Sequence, residues 1–88
     1  MDLKKRIGIN LKYYRYKSKL SQEVFYTNMG LSPKYYACAE RGEVNLTIEN
    51  VEYIASKLGI DANDLLAYNE AHIIQKKRID EKEKKVNN

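Results

Sequence analysis

The sequence is poor in the residues that build cross-linked, metal-bound or catalytic proteins. Its 88 residues include one cysteine, one histidine, one proline, four glycines and no tryptophan. Cys38 alone forms no internal disulfide, and Cys38 with His72 falls short of the four ligands of a structural zinc site. No nucleophile–base pair, carboxylate dyad or glycine-rich phosphate loop stands at a working spacing, so no enzyme is expected and no cofactor is implied. Met1-Asp2-Leu3-Lys4-Lys5-Arg6 leads into no apolar stretch of signal-peptide length, and no run approaches a membrane span. A reducing, cytoplasmic setting is expected by default.

What the chain has is charge, tyrosine and helical spacing. Apolar residues make up 43% and charged residues 32%, a globular balance far from that of disordered chains. A chain this short buries only about 60–65% of its unfolded surface, so one small core is all it can hold. Eight of its nine aromatic residues are Tyr. The net charge of +4 is unevenly spread. Residues 1–42 carry nine Lys/Arg against three acids, residues 43–68 one against five, and residues 69–88 six against four. The basic first half suits a polyanion and the acidic middle does not.

Strict alternation is absent, and the apolar residues recur at helical intervals. Leu3, Ile7, Leu11 and Tyr14 form a stripe behind Asp2 as N-cap, with Lys4, Lys5, Lys12 and Lys17 toward solvent. Ser18-Lys19-Leu20 closes this helix and Ser21 caps the next, Gln22 to Met29, which offers Val24, Phe25, Tyr26 and Met29 for burial. Gly30 supplies a left-handed stop, and Ser32 with Pro33 starts a third helix ending near Glu40. Gly42 stops that helix, whose inward face is Tyr35 or Tyr36 and then Ala39. Thr47 caps a fourth, with Ile48, Val51, Ile54, Ala55 and Leu58 as its stripe and Gly59 as its end. Asp61 opens a fifth, with Asp64 completing a capping box and Leu65 and Leu66 inward. The expectation is an all-α, compact five-helix bundle.

Two short helices joined by a turn at Gly30, the second opening Ser-Pro-Lys, have helix-turn-helix spacing. In that unit the first helix braces on the DNA backbone and the second puts its N-terminal residues into the major groove. The chain resembles the Xre/Cro-type helix-turn-helix regulators, which include the small phage repressors, from about Ile7 to Leu66. The resemblance is carried by Leu11-x-x-x-Arg15, Leu20-Ser21-Gln22-Glu23, Gly30-Leu31-Ser32, Ala39-Glu40-Arg41-Gly42, Asn45-x-Thr47 and Leu58-Gly59-Ile60-x-x-x-x-Leu65-Leu66. Each motif alone is weak; in this order and spacing they are jointly specific.

The resemblance implies a lambda-repressor-like DNA-binding domain over 1–68, with 69–88 as a charged helical extension or tail. It implies that Gln22 docks on a backbone phosphate, that Pro33, Lys34, Ala37 and Cys38 lie on the base-facing part of the recognition helix, and that Ser32 at its N-cap belongs to the DNA-binding set. It gives Tyr35 and Asn45 backbone contacts, and makes Arg15 and Glu40 a structural pair tying the first helix to the third. From the residues alone, Gln22 also reads as an ordinary first-turn residue, and Lys34 equally as a solvated lysine. The thiol of Cys38 invites a redox-switch reading, but with no second Cys to resolve it a small, half-buried role is expected.

Two tyrosines depart from the family pattern. Tyr26 stands where the close helix crossing usually has Ala, and Tyr36 where the recognition helix usually buries Ile or Val. A phenol there must widen the crossing or swing outward, and with both hydroxyls outward the rings would add stacking or phosphate contacts.

In the tail, Leu65, His72, Ile79 and Val86 recur every seven residues, a sparse heptad, and Asp80–Lys84 and Glu81–Lys85 are i,i+4 pairs. Ile73 and Ile74 look for a partner, so the fifth helix is expected to extend through this segment, fray after about Lys82 and contribute to a homodimer. His72 has no assigned role. The leading function is a sequence-specific, homodimeric repressor binding double-stranded DNA at a pseudo-palindrome. The alternative is a protein-interaction module, antitoxin or antirepressor, using Tyr13, Tyr16, Tyr26 and Tyr35 on a protein partner.

Overall fold

Six helices connected by short links make up the described residues, 1–86, of this computed structural model. They are α1 (Leu3–Ser18), α2 (Gln22–Asn28), α3 (Pro33–Glu40), α4 (Ile48–Leu58), α5 (Ala62–Leu66) and α6 (Glu70–Val86). Each of the first five begins on the cap residue expected from sequence: Asp2, Ser21, Ser32, Thr47 and Asp61 each accept a backbone N–H from the first turn. Asp61 and Asp64 complete the capping box. Lys19 ends α1 with a left-handed φ of 64°, the one non-glycine residue among the described residues to do so, and Gly59 ends α4 in the same region.

The core gathers Ile7 and Leu11 of α1, Phe25 and Tyr26 of α2 with Met29 at its C-cap, Tyr36 and Ala39 of α3, Val51, Ile54 and Ala55 of α4, and Leu65 of α5. Three members of the expected stripes lie outside it: Leu3, Val24 and Ile48 are exposed, Ile48 at 76%. All three stand in the first turn of their helix, where the stripe runs past the edge of a core this small. Leu66 is only half-buried.

Tyr26 and Tyr36 are fully inside, contrary to the outward alternative. Their rings stack at 4.9 Å between centroids, and Phe25 meets Tyr26 edge-on at 5.0 Å. Stacked phenols thus fill the α2–α3 crossing where smaller side chains were expected, and the polar end of Tyr26 finds a carboxylate.

The segment beyond α5 departs most from expectation. α5 stops at Leu66, and α6 is a separate helix that docks on α1 and continues to Val86 rather than fraying after Lys82. Two members of the seven-residue recurrence, His72 and Ile79, are buried against the chain's own first helix, so their spacing marks an intramolecular seam and not a two-chain one. Ile73 is half-buried and Ile74 remains exposed. Val86 and the Glu81–Lys85 pair lie outside the described side chains. Asp80 pairs with Lys12 at 2.6 Å and with Lys76, in place of Lys84. Lys12, expected in solvent, is therefore mostly covered.

His72 holds this seam together. Asn10, 1% exposed, donates its amide to the carbonyls of Leu65 (2.8 Å) and Ala67 (2.9 Å), which leaves its oxygen for His72 Nδ1 at 2.7 Å. Since both amide hydrogens are spent, Nδ1 is the donor. The imidazole stacks on Tyr13 with centroids 3.7 Å apart and meets Tyr14 edge-on. Tyr16 Oη adds a hydrogen bond to Glu83 at 2.6 Å, and burial and this bond push its phenol pKa up to about 12.

Burial, helped by the charge of Lys17 and opposed by Asp64, holds the His72 pKa below its ordinary 6.5. The unfolded chain therefore binds a proton that the folded chain resists. The stability contributed by neutral His72 is complete above pH 6.5 and is lost as pH falls through the folded value. His72 is the chain's one histidine, so the window is its own. Thermal unfolding from pH 7.5 to 5 should show a falling midpoint below about pH 6.5 in the wild-type chain, and a flatter profile for His72→Gln. Parallel profiles would contradict this role.

Candidate nucleic-acid interface

The unit formed by α2 and α3 is fixed by its turn. Gly30 takes a φ of 73°, and Leu31 N–H returns to Tyr26 O at 2.9 Å, so the chain reverses within four residues. Ser32 then accepts from Tyr35 N–H at 3.2 Å, and Pro33 occupies the first helical position, where no N–H is required. Burial of Tyr36, Ala39 and Glu40 sets which side of α3 faces in. The opposite side presents Lys34 and Tyr35, exposed, with Pro33, Ala37 and Cys38 half-buried.

Gln22 lies across a shallow groove from this face. Ser21, Gln22, Glu23, Pro33, Lys34 and Ala37 line a concavity of about 420 Å³ between the N-termini of the two helices. The structure thus brings Gln22 to the same groove as Pro33, Lys34 and Ala37. Ser32 is exposed, with its hydroxyl engaged in capping α3. Asn45 is exposed on the loop after α3, where its carbonyl accepts a long, 3.4 Å contact from Tyr35 Oη.

Two polar residues of this surface were missed. Glu23 is an acceptor inside the groove, and its place beside Gln22 in the first turn was the available signal. Arg41 caps α3 with its guanidinium 3.2 Å from Cys38 Sγ, held by Glu43 at 2.9 and 3.1 Å. Its position four residues after Ala37 and three after Cys38 places it on the same helical face, a spacing the sequence displays.

Behind the face stands one carboxylate. Glu40, 4% exposed, accepts from Arg15 Nε at 2.7 Å and Arg15 Nη2 at 3.0 Å, a bidentate pair joining α3 to α1. It also accepts from Tyr26 Oη at 2.6 Å and Gln22 Nε2 at 3.0 Å, both of α2. Four donors from two helices thus converge on the last residue of α3. Burial works against the Arg15 charge, but the hydrogen bonds and charge of Glu40 outweigh it and the guanidinium pKa is raised. Burial and the neighbouring carboxylate push the Tyr26 phenol far above its ordinary value, so it stays a donor.

At Gly8 the crossing of α1 over α3 is at its closest: a Cβ there would lie 2.5 Å from the carbonyl oxygen of Ala39 and 2.7 Å from that of Glu40. Helix α3 is thus held on α1 by a backbone-to-backbone contact and by a charged clasp.

The helix-turn-helix family model HTH_3 matches residues 11–65, which run from the middle of α1 to the end of the core. The chain belongs to this helix-turn-helix family of DNA-binding transcriptional regulators. Among its curated relatives, it is 39% identical over 67 residues to the control protein C.MunI of Mycoplasma sp, covering 75% of this chain and 90% of that protein. It is 32% identical over 66 residues to an HTH-type transcriptional regulator, y4dJ, of Sinorhizobium fredii, covering 75% and 86% respectively. Its fold matches the crystal structure of a hypothetical transcription factor from Neisseria with a TM-score of 0.73 at 28% identity, covering 84% of this chain and 85% of that one. The family match stops before α6, so the buried seam built by Asn10, His72 and Ile79 lies partly beyond the helix-turn-helix core. No helix among the described residues is long and apolar enough to cross a membrane.

Proposed function

We propose that the chain is a sequence-specific, homodimeric repressor of the cytoplasm, a binding protein rather than an enzyme, whose α3 reads the major groove of double-stranded DNA. The observation that carries this reading is the groove in which Gln22, Pro33, Lys34 and Ala37 meet, at the N-termini of two helices clasped by Glu40. Residues 1–68 act as the DNA-binding domain, with 69–88 as an extension whose helix α6 docks on α1.

In this role Lys34 meets guanine O6/N7 or an adjacent phosphate, and Pro33, Ala37 and Cys38 give apolar contact to thymine methyls. Gln22 docks on a phosphate with its amide oriented by Glu40, and the N-terminus of α3 adds its free N–H groups and partial positive charge. Tyr35 and Asn45 take backbone contacts beyond the groove. Glu23 and Arg41 extend the reading surface at either end. With few polar readers, the shape and deformability of the site contribute to selection. The control-protein name of the Mycoplasma relative supports a regulatory output. Homodimerisation is what lets a helix-turn-helix unit of this size engage two half-sites one helical turn apart. The tail's heptad no longer supports it, because that seam is filled from within.

Selection of sites from random duplex DNA tests the reading. The expected result is a two-fold symmetric consensus with half-sites one helical turn apart. Lys34→Ala should then cost about 1–3 kcal/mol and relax the preference at one base position in each half. No enriched sequence would overturn the DNA reading, and an asymmetric single site would overturn the dimer.

A further inference from the structure

Docking of α6 brings basic residues to the end of α3. Lys5 of α1, Arg41 at the end of α3, and Lys76 and Lys77 of α6 line one concavity of about 330 Å³, floored by Ile9 and Ile73. Its only acid is Glu40, whose oxygens are already engaged by Arg15, Tyr26 and Gln22. Arg41 pairs with Glu43 and Lys76 with Asp80, while Lys5 and Lys77 have no acid partner among the described residues. Like charges drawn from three helices and left partly uncompensated form a surface for a polyanion. The surface is continuous with the proposed reading face, because the Arg41 guanidinium also touches Cys38.

We propose that Lys5 and Lys77, with Arg41 between them and α3, form a second seat for the DNA backbone, so that α6 extends the DNA-binding surface beyond the helix-turn-helix unit. The proposal rests on the DNA reading above. The seat contacts phosphates flanking the half-site and no bases, so it adds affinity without sequence preference. The Asn10–His72 seam and the Lys12–Asp80 pair set its geometry by fixing α6 on α1. The apolar floor gives the lysine stems a surface to lie on while their ammonium groups reach outward.

The test is the salt dependence of binding by the full chain to a selected duplex with flanks of one helical turn, and to an unrelated duplex of equal length. Each phosphate contact contributes roughly 0.9 to the slope of log K against log[salt]. Lys5→Gln with Lys77→Gln should lower the slope by about 2 on both duplexes and leave their affinity ratio unchanged. Lys5→Arg with Lys77→Arg should restore the slope, which separates charge from folding. Lys57→Gln, on α4 with its ammonium over the Tyr53 ring, should leave it unaltered. If the wild-type chain binds and the double glutamine variant keeps the full slope, the second seat is wrong and the DNA reading stands. If the wild-type chain binds neither duplex, the DNA reading fails and the second seat falls with it.

Discussion

Gly8→Ala lowers the stability of this domain by about 3 kcal/mol, the upper end of the usual cost of forcing extra volume into a close-packed interior. The sign is what makes the result informative. Gly8 lies mid-helix in α1, where alanine is better than glycine by roughly 1 kcal/mol on propensity alone. A loose crossing would therefore be stabilised by the change. Here the new methyl would meet two carbonyl oxygens of α3 at 2.5 and 2.7 Å, and backbone atoms in a helix do not rotate away. The two helices must separate or tilt, which disturbs the Glu40 clasp at the same place. For a domain of this size the loss corresponds to a drop of roughly 15 °C in the thermal midpoint. Gly30→Ala is the contrasting case: its Cβ meets nothing within 4 Å, and only the φ of 73° opposes it, a cost of about 1–2 kcal/mol. Thermal or denaturant unfolding of the two variants checks both figures, and a Gly8→Ala chain as stable as wild type would refute the close crossing.

Glu40→Ala should have the largest effect of any surface-to-core charge change, about 3–5 kcal/mol, because it leaves the Arg15 guanidinium buried without its partner. It also strands the Tyr26 hydroxyl inside the core and frees the Gln22 amide. Tyr26→Phe removes one bond to a charged acceptor and should cost about 1.5–3 kcal/mol. Arg15→Met with Glu40→Leu, which removes the buried charges together, should cost less than Glu40→Ala alone. DNA affinity follows the same hub, since a Gln22 amide without Glu40 no longer holds one orientation. Equilibrium unfolding of the three variants gives the ordering. A double variant less stable than Glu40→Ala would contradict the account of an uncompensated charge.

Much of this was legible because it is local. Caps and stops act within four residues, so Asp2, Ser21, Ser32, Thr47 and Asp61, and the reversal at Gly30, could be read directly. The Arg15–Glu40 pair came from family spacing, and the geometry bears it out. The same spacing did not show that Tyr26 and Gln22 share that carboxylate. Nothing local says where a phenol hydroxyl finds its acceptor, and Tyr26 is buried because Glu40 lies within its reach. Lys12, His72 and Ile79 were misplaced for one common reason: their surroundings are made by α6 returning to α1 across 62 to 68 residues of chain. A seven-residue recurrence reads alike whether it meets a second copy or its own first helix. Gln22, Pro33, Lys34 and Ala37 share one groove in the fold, with Glu23 beside them and Arg41 against Cys38 at its margin.

The central claim is that this chain meets DNA through the face shared by α2 and α3, and its most direct test is a titration of the isotopically labelled full chain with a selected duplex, followed by amide NMR. The largest shifts are expected at Gln22, Ser32, Lys34, Tyr35, Ala37, Cys38 and Asn45, with smaller ones at Lys5, Arg41 and Lys77. Shifts concentrated instead on the exposed face of α4, or on Tyr13 and Tyr16 beside α6, with α3 unmoved, would contradict it.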